Sequence, residues 1–553
     1  MNIRIRHAVA ATLLLGAAGS ASAFDITTYA GTPLYVGGST AIDKALLAYF
    51  EETADTASPC VTNSATDPID VYTGTLTNVK FIAVACTANT ANTGAVADPA
   101  KHIVFIKEDN GGSINGIQGV GLTSAGGQTL SFPALVGLTT AGGTPNCDTS
   151  AKAAVPGVTS AFNAHACAAG YSALATPIQG NMGFADVEAS IFGLDTSSTG
   201  LDLTPQSTID IVFAPAVSLG LYHALQKSQG LPQDDLTADI PSLTKEALSA
   251  IYTGKVLAWT SVAGTGGTVF SQTNIQFGTS GGAAHEFNGG APGTAASSKI
   301  FLCRRDNGSG TEKTSEIVFG NLVCSAGNVA FRSAGAQDAL GASWTQPATI
   351  AAAANTFSGN GTGAVLNCLQ GLDELGGYAI GFASVDNGWG SKGSTNAAGV
   401  GNQDFRYVKV DGVVPSIEDV ASGLYHYWAQ SSGYQPGPGA GHTNRATGDA
   451  AVVLNYVTGV TVPNAGIGDA SAIGALNTNA AWTNGPTWDG GIVGIPGNVG
   501  NAVNPPTASL ATFRGNPVND FVKANGGNNN CQPAVAASGA VLGANGQVTW
   551  SSP

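Results

Sequence analysis

Cys303-Arg304-Arg305-Asp306-Asn307-Gly308-Ser309-Gly310-Thr311 is the stretch on which the fold turns. Ile300-Phe301-Leu302 before it reads as a buried strand, and Glu312 to Phe319 after it reads as a helix. A turn of small residues that opens a helix presents free backbone N–H groups and the positive end of the helix dipole. That arrangement suits an anion. Ser309 and Thr311 add hydroxyl donors, and Arg305 adds a planar charged fork that matches an oxyanion. The same letters also serve an ordinary capped helix with its arginines in water, because caps favour these residues anyway.

A second unit of this kind stands near the N-terminus. Leu34-Tyr35-Val36 is strand-like, Gly37-Gly38-Ser39-Thr40 is a turn, and Ala41 to Phe50 has helical periodicity. Ile103 to Ile106 is a third buried strand, followed by a polar loop and a helix start at Ile114 to Ile117. Asn181 to Val187 reads as a strand that ends on Asp186. Ile209 to Tyr222 reads as one long apolar strand, suited to a central sheet or a crossing between domains. Leu243 to Tyr252 is a capped helix, Gly377 to Ala383 a buried strand, Ser416 to Ala421 a helix start and Leu424 to Trp428 strand-like. Ala450 to Val457 fits either helix or strand. Strands alternating with helices mean an α/β chain. The segments 51–100, 121–176, 261–297 and 460–553 are rich in Gly, Thr, Ala, Asn or Pro and read as insertions or extensions of strand and loop.

The totals narrow the function. With 553 residues, 43% of them hydrophobic and 10% charged, the chain has enough apolar surface for about two to four folded domains and is not a disordered one. A net charge of −15 argues against nucleic acid and acidic membranes as partners. It leaves room for a small anion, which local dipoles can hold. Residues 1–23 read as an export signal: Arg4, Arg6 and His7, an apolar run from Ala8 to Ala18, and Ala21-Ser22-Ala23 before Phe24. The expected location is periplasmic or extracellular. Eight cysteines are an even number in an oxidising compartment. Their spacing suggests Cys60–Cys86, Cys147–Cys167 and Cys303–Cys324, leaving Cys368–Cys531. No C-x-x-C and no Cys/His cluster is present, so no metal is expected. Gly278-Thr279-Ser280-Gly281-Gly282 formally matches a hydrolase nucleophile elbow, with Ser280 as nucleophile, but no helical pattern follows it.

Together these segments resemble, in their order along the chain, the periplasmic phosphate-binding proteins that serve ABC transporters, within the type 2 periplasmic-binding fold. Arg304 to Thr311 looks like that family's arginine and Gly-Ser-Gly-Thr motif, and Gly37 to Ala41 like its first phosphate turn. Ala250 to Val256 with Trp259 resembles the segment after its domain crossing, and Gly377 to Phe382 a late strand of its second lobe. Asp109 to Ile117 and Phe184-Ala185-Asp186 fall where the family has its serine loop and its strand-end aspartate.

The resemblance implies a two-lobe α/β fold with β/loop-rich insertions. Lobe 1 would comprise 24–220 with a return and extension at 425–553, and lobe 2 would comprise 221–424. It implies a secreted solute-binding protein, not an enzyme and without cofactor. Inorganic phosphate or a similar tetrahedral oxyanion would sit between the lobes, and an ABC-transporter permease would be the partner. Thr40 and Ala41 would offer N–H groups, Arg305 a charged bond, and Ser309, Gly310 and Thr311 a cradle. Asp186 would accept a proton-bearing phosphate oxygen. Ser39, Asn110 and Ser113 are further candidates. The family has Asp where this chain has Asn307, bracing the arginine; here Asp306 stands one residue earlier. The insertions also make the chain longer than the family's two lobes require. The alternative is therefore an extracellular structural or filament-forming protein, prone to self-association, that reuses the fold.

Overall fold

The computed structural model describes residues 26–51, 59–61, 69–76, 79–90, 95–108, 112–138, 147–148, 162–167, 175–278, 293–321, 324, 329–341, 343–387, 405–458, 491–494, 519, 521–523, 530–532, 534–536, 540–542 and 548–550. The expected export signal and the elbow beyond Gly278 lie outside them.

The molecule is mixed α/β, built on a 14-stranded mixed sheet. Its strands are β1 (Leu34–Gly38), β2 (Ile69–Leu76), β3 (Val79–Thr87), β4 (His102–Glu108), β5 (Cys147–Asp148), β6 (Phe162–Cys167), β7 (Met182–Ala185), β8 (Leu203–Ser218), β9 (Phe301–Arg305), β10 (Thr356–Gly359), β11 (Ala379–Ser384), β12 (Phe405–Tyr407), β13 (Trp428–Pro436) and β14 (Ile492–Gly494). The order is β10-β9-β11-β8-β13-β7-β1-β4-β3-β2-β6-β5, with β12 and β14 also on β8.

Two parallel clusters lie within this sheet. β1 runs parallel to β4 and β7, and β9 runs parallel to β10 and β11. Such strands are covered on both faces, so they read as nearly unbroken apolar runs. In β4 every residue from Ile103 to Glu108 is buried. The 16-residue β8 joins the clusters: its first part pairs antiparallel with β13, and Phe213 to Val217 pair antiparallel with β11.

Helices connect the strands: α1 (Asp43–Glu51), α2 (Ser113–Gln118), α3 (Leu219–Ser228), α4 (Lys245–Tyr252), α5 (Gly310–Ser315), running on as a π-helical turn over Glu316–Gly320, and α6 (Thr362–Glu374). Among the described residues no helix is long and apolar enough to cross a membrane.

Two sequence expectations need correction, one open reading is settled and one is met. The apolar run Ile209 to Tyr222 is not one strand. Ser218 is extended and Leu219 begins α3, whose first N–H groups need a partner; Asp373 supplies one by accepting the Gly220 N–H at 2.7 Å. Leu424 to Tyr427 are not strand; β13 begins at Trp428. Ala450 to Val457 belong to the helix Asp449–Val457. Residues 51–100 do contain strands: the β2–β3 hairpin extends the sheet beyond β4.

Cys60–Cys86 and Cys147–Cys167 are bonded as spacing suggested. The other two pairs are exchanged: Cys303 bonds Cys368 and Cys324 bonds Cys531. The cause is packing. Cys368 lies on α6, which covers β9, so it meets Cys303 in space despite 65 residues of separation.

Candidate functional site

Four strand ends meet at one place. In open α/β sheets the carboxyl ends of parallel strands are where helix N-termini and loops converge on a crevice. Here those ends are β1 with Ser39 to Ala41, β4 with Gly112 and Ser113, β7 with Asp186, and β9 with Asp306 to Thr311.

Asp186 is the centre. It is 2% exposed. One carboxylate oxygen, Oδ1, accepts the Ser39 hydroxyl, and Oδ2 accepts Thr311 Oγ1 at 3.4 Å. Its own N–H donates to Ser113 Oγ at 3.1 Å. Burial pushes its carboxyl above the usual range; the Ser39 hydroxyl and then the Arg305 charge oppose that shift.

The wall facing it comes from the turn after β9. Ile114 N–H donates to Gly308 O at 3.0 Å, joining the two walls through backbone alone. A Cβ on Gly310 would lie 2.4 Å from Ser113 Oγ and 2.6 Å from Asp186 Cβ, so only glycine fits. Gly112 has φ +66, and a Cβ there would stand 3.3 Å from Ser309 Cα and 3.4 Å from an Arg305 terminal nitrogen.

Neither arginine is solvated. Arg304 is 2% exposed and Arg305 is 3% exposed. Adjacent strand residues point to opposite faces. Arg304 forms ion pairs with Glu312 and Asp338, and its Nε donates to Arg332 O at 3.1 Å. Burial pushes the Glu312 carboxyl up to about 8 even with Arg304 beside it. Arg305 takes the other side and donates through Nη1 to Thr362 Oγ1 at 3.2 Å. Asp306 is buried next to it. Burial raises the Asp306 carboxyl, with the Arg305 charge as the largest opposing influence. Asn307 is exposed.

The expected residues thus fall into groups. Ser39, Ser113, Asp186, Arg305, Ser309, Gly310 and Thr311 come together and are buried. Ser309 also caps α5, accepting the Glu312 N–H at 3.4 Å, so the plain cap reading holds for its side chain. Ala41 is buried, but its N–H is turned to Ser39 Oγ at 3.1 Å; Thr40 is half-buried. Asn110 lies outside the described residues.

Sequence reasoning missed Thr362 and Lys107. Lys107 Nζ, 1% exposed, bonds Asp43 at 2.7 Å and Gly38 O at 3.2 Å, so it holds the turn before Ser39. A signal for Thr362 was present: Gly359-Asn360-Gly361-Thr362-Gly363 repeats the strand, glycine turn, helix pattern. Among the described residues no cluster of His, Cys, Asp and Glu could hold a metal.

No family model and no curated protein matches the chain. Among solved structures it is similar to a putative phosphate ABC transporter substrate-binding protein with bound phosphate from Clostridium perfringens, at 16% identity and TM-score 0.27, covering 50% of this chain and 73% of that one. It is also similar to an ABC-type phosphate transport receptor from Vibrio cholerae, at 13% identity and TM-score 0.25, covering 50% of this chain and 79% of that one.

Proposed function

We propose that this chain is an exported solute-binding protein that takes inorganic phosphate between two lobes, hinged where β8 crosses. Lobe 1 comprises residues 24–220 with the return at 425–553, and lobe 2 comprises 221–424. Asp186, Ser39 and Ser113 form one wall of the cleft, and Arg305 with Ser309 to Thr311 forms the other. The observation that carries this reading is the burial of one guanidinium, one carboxylate and several hydroxyls at converging strand ends.

The chemistry is selective. Arg305 and the N–H groups at the start of α5 favour an oxyanion. Asp186 favours one that still bears a proton, because its carboxylate accepts that proton. Sulfate has none to donate, and a lost charged hydrogen bond costs about 1.5–3 kcal/mol. No bond is broken, so the role is capture and hand-over to a permease. Calorimetric titration with phosphate and with sulfate, on protein first stripped by dialysis under mild denaturant, tests the reading. Heat with phosphate and at least tenfold weaker sulfate binding is expected; no heat with either ion would sink it.

A further inference from the structure

The C-terminal residues tie the two walls together. Asn519 Nδ2 donates to Asp210 Oδ2 on β8 at 2.7 Å. Phe521 lies against Gly423, and Lys523 Nζ stands 4.1 Å from the centre of the Trp428 ring on β13. Asn530 Nδ2 donates to Glu188 Oε2 at 2.7 Å, and its Oδ1 accepts the Gln430 N–H at 2.9 Å. Glu188 is two residues beyond Asp186. The residue after Asn530 is Cys531, bonded to Cys324 across 207 residues. Cys324 follows the helical run that starts at Gly310 and ends at Gly320. One end of the tie is therefore fixed beside Asp186, and the other beyond the helix that Gly310 and Thr311 begin.

We propose that the Cys324–Cys531 disulfide, with Asn530 seated on Glu188 and Gln430, is a strap that limits how far the Asp186 wall and the Thr311 wall can part. The inference rests on the cleft reading above for its consequence, slower entry and exit of the anion, but not for the strap itself. Any swing carrying Gly310 and Thr311 away from Asp186 must draw Cys324 away from Glu188, and the disulfide resists it. The strap is also the disulfide best placed for release. Both its cysteines are half-buried, whereas Cys303 and Cys368 are fully buried. A dithiol reductant would break the S–S bond by supplying two electrons and two protons, leaving two thiols and closing its own disulfide.

Hydrogen exchange on the full chain tests this. The Ile114 amide, donated across the walls to Gly308, reports separation; the Leu302 amide, donated to Asn355 O at 2.9 Å within one wall, reports stability alone. In Cys531→Ser the Ile114 amide should exchange at least tenfold faster with Leu302 unchanged, and phosphate should dissociate at least tenfold faster. Where that variant fails to fold, Asn530→Ala frees the strap's anchor with the disulfide intact and should move Ile114 in the same direction. An unchanged Ile114 rate, or equal acceleration at both amides, overturns the strap. Faster Ile114 exchange with no phosphate heat in any form keeps the strap and removes the anion reading. Phosphate binding with unchanged Ile114 exchange does the reverse.

Discussion

Thr311 Oγ1 donates to Asp186 Oδ2 at 3.4 Å, joining the turn after β9 to the end of β7 across 125 residues of chain. The contact is possible because Gly310, beside Thr311, has no side chain. Its φ is not in the left-handed region, so alanine would be tolerated by the backbone and excluded only by space. Gly310→Ala should therefore hold the walls apart. Phosphate affinity is expected to fall tenfold or more, and small-angle scattering should give a larger radius of gyration. An affinity within twofold of the parent would mean that closure does not pass through this contact.

Arg305 tests the site directly. Removing its guanidinium takes away a positive charge that favours the Asp186 carboxylate. Arg305→Ala should lower phosphate affinity at least tenfold, about 1.4 kcal/mol. Unchanged affinity by titration calorimetry would refute the placement of the site.

Asp306 and Asn307 separate a brace from a bystander. Asp306 is 3% exposed, and burial raises its carboxyl, with the Arg305 charge as the largest influence opposing that rise. Asn307 is exposed. Asp306→Asn should weaken phosphate binding severalfold, and Asn307→Ala should change stability by no more than about 0.5 kcal/mol and leave affinity unaltered. The reverse ranking in calorimetry would show that the brace is not at 306.

What the letters alone could reveal follows from range. The turns at 37–41 and 308–311 were legible because glycine, serine and threonine at a strand-to-helix junction carry their own local physics. The parallel strands were legible as apolar runs. The assignment of the two arginines was not: Asp338 lies 34 residues from Arg304, and Thr362 lies 57 from Arg305. Nothing local says which arginine turns inward to which partner. The exchanged disulfides have the same cause, since α6 brings Cys368 over β9 only after the sheet has formed. The end of β8 was misread because the apolar residues of α3 are buried nearly all round, which hides helical periodicity.

Arg304 is expected to matter for stability. It neutralises Glu312, which is 0% exposed. Arg304→Met leaves that group, once ionised, buried without its cation, a loss of about 3–5 kcal/mol at high pH. Burial raises the Glu312 carboxyl in the fold from its ordinary 4.5 to about 8, so between those values the folded state holds more protons than the unfolded one. Stability from this group falls as pH rises through that window. Loss of Arg304 raises the Glu312 carboxyl further, so parent and Arg304→Met follow the same slope up to about pH 8 and part above it: the loss in urea unfolding should be larger at pH 10 than at pH 5, and Glu312→Gln in the same chain should recover part of it. Equal losses at both pH values would exclude Glu312 as the cause.

Lys523 gives the opposite sign. It is buried over Trp428, and desolvation pulls its ammonium down from 10.5 to about 8, against the attraction of Asp210 and then Glu188. Between these values the unfolded chain holds the extra proton, so stability from this group rises with pH. The slope cannot exceed about 1.4 kcal/mol per pH unit for one proton. Lys523→Met removes the titrating group while keeping an apolar chain beneath the ring. Urea unfolding at pH 7, 8, 9 and 10 should then show the parent gaining stability relative to the variant above pH 8, with the two curves parallel below it. Curves parallel throughout would mean that the amine is not desolvated in solution, and that Asn519, Phe521 and Asn530 alone seat the strap.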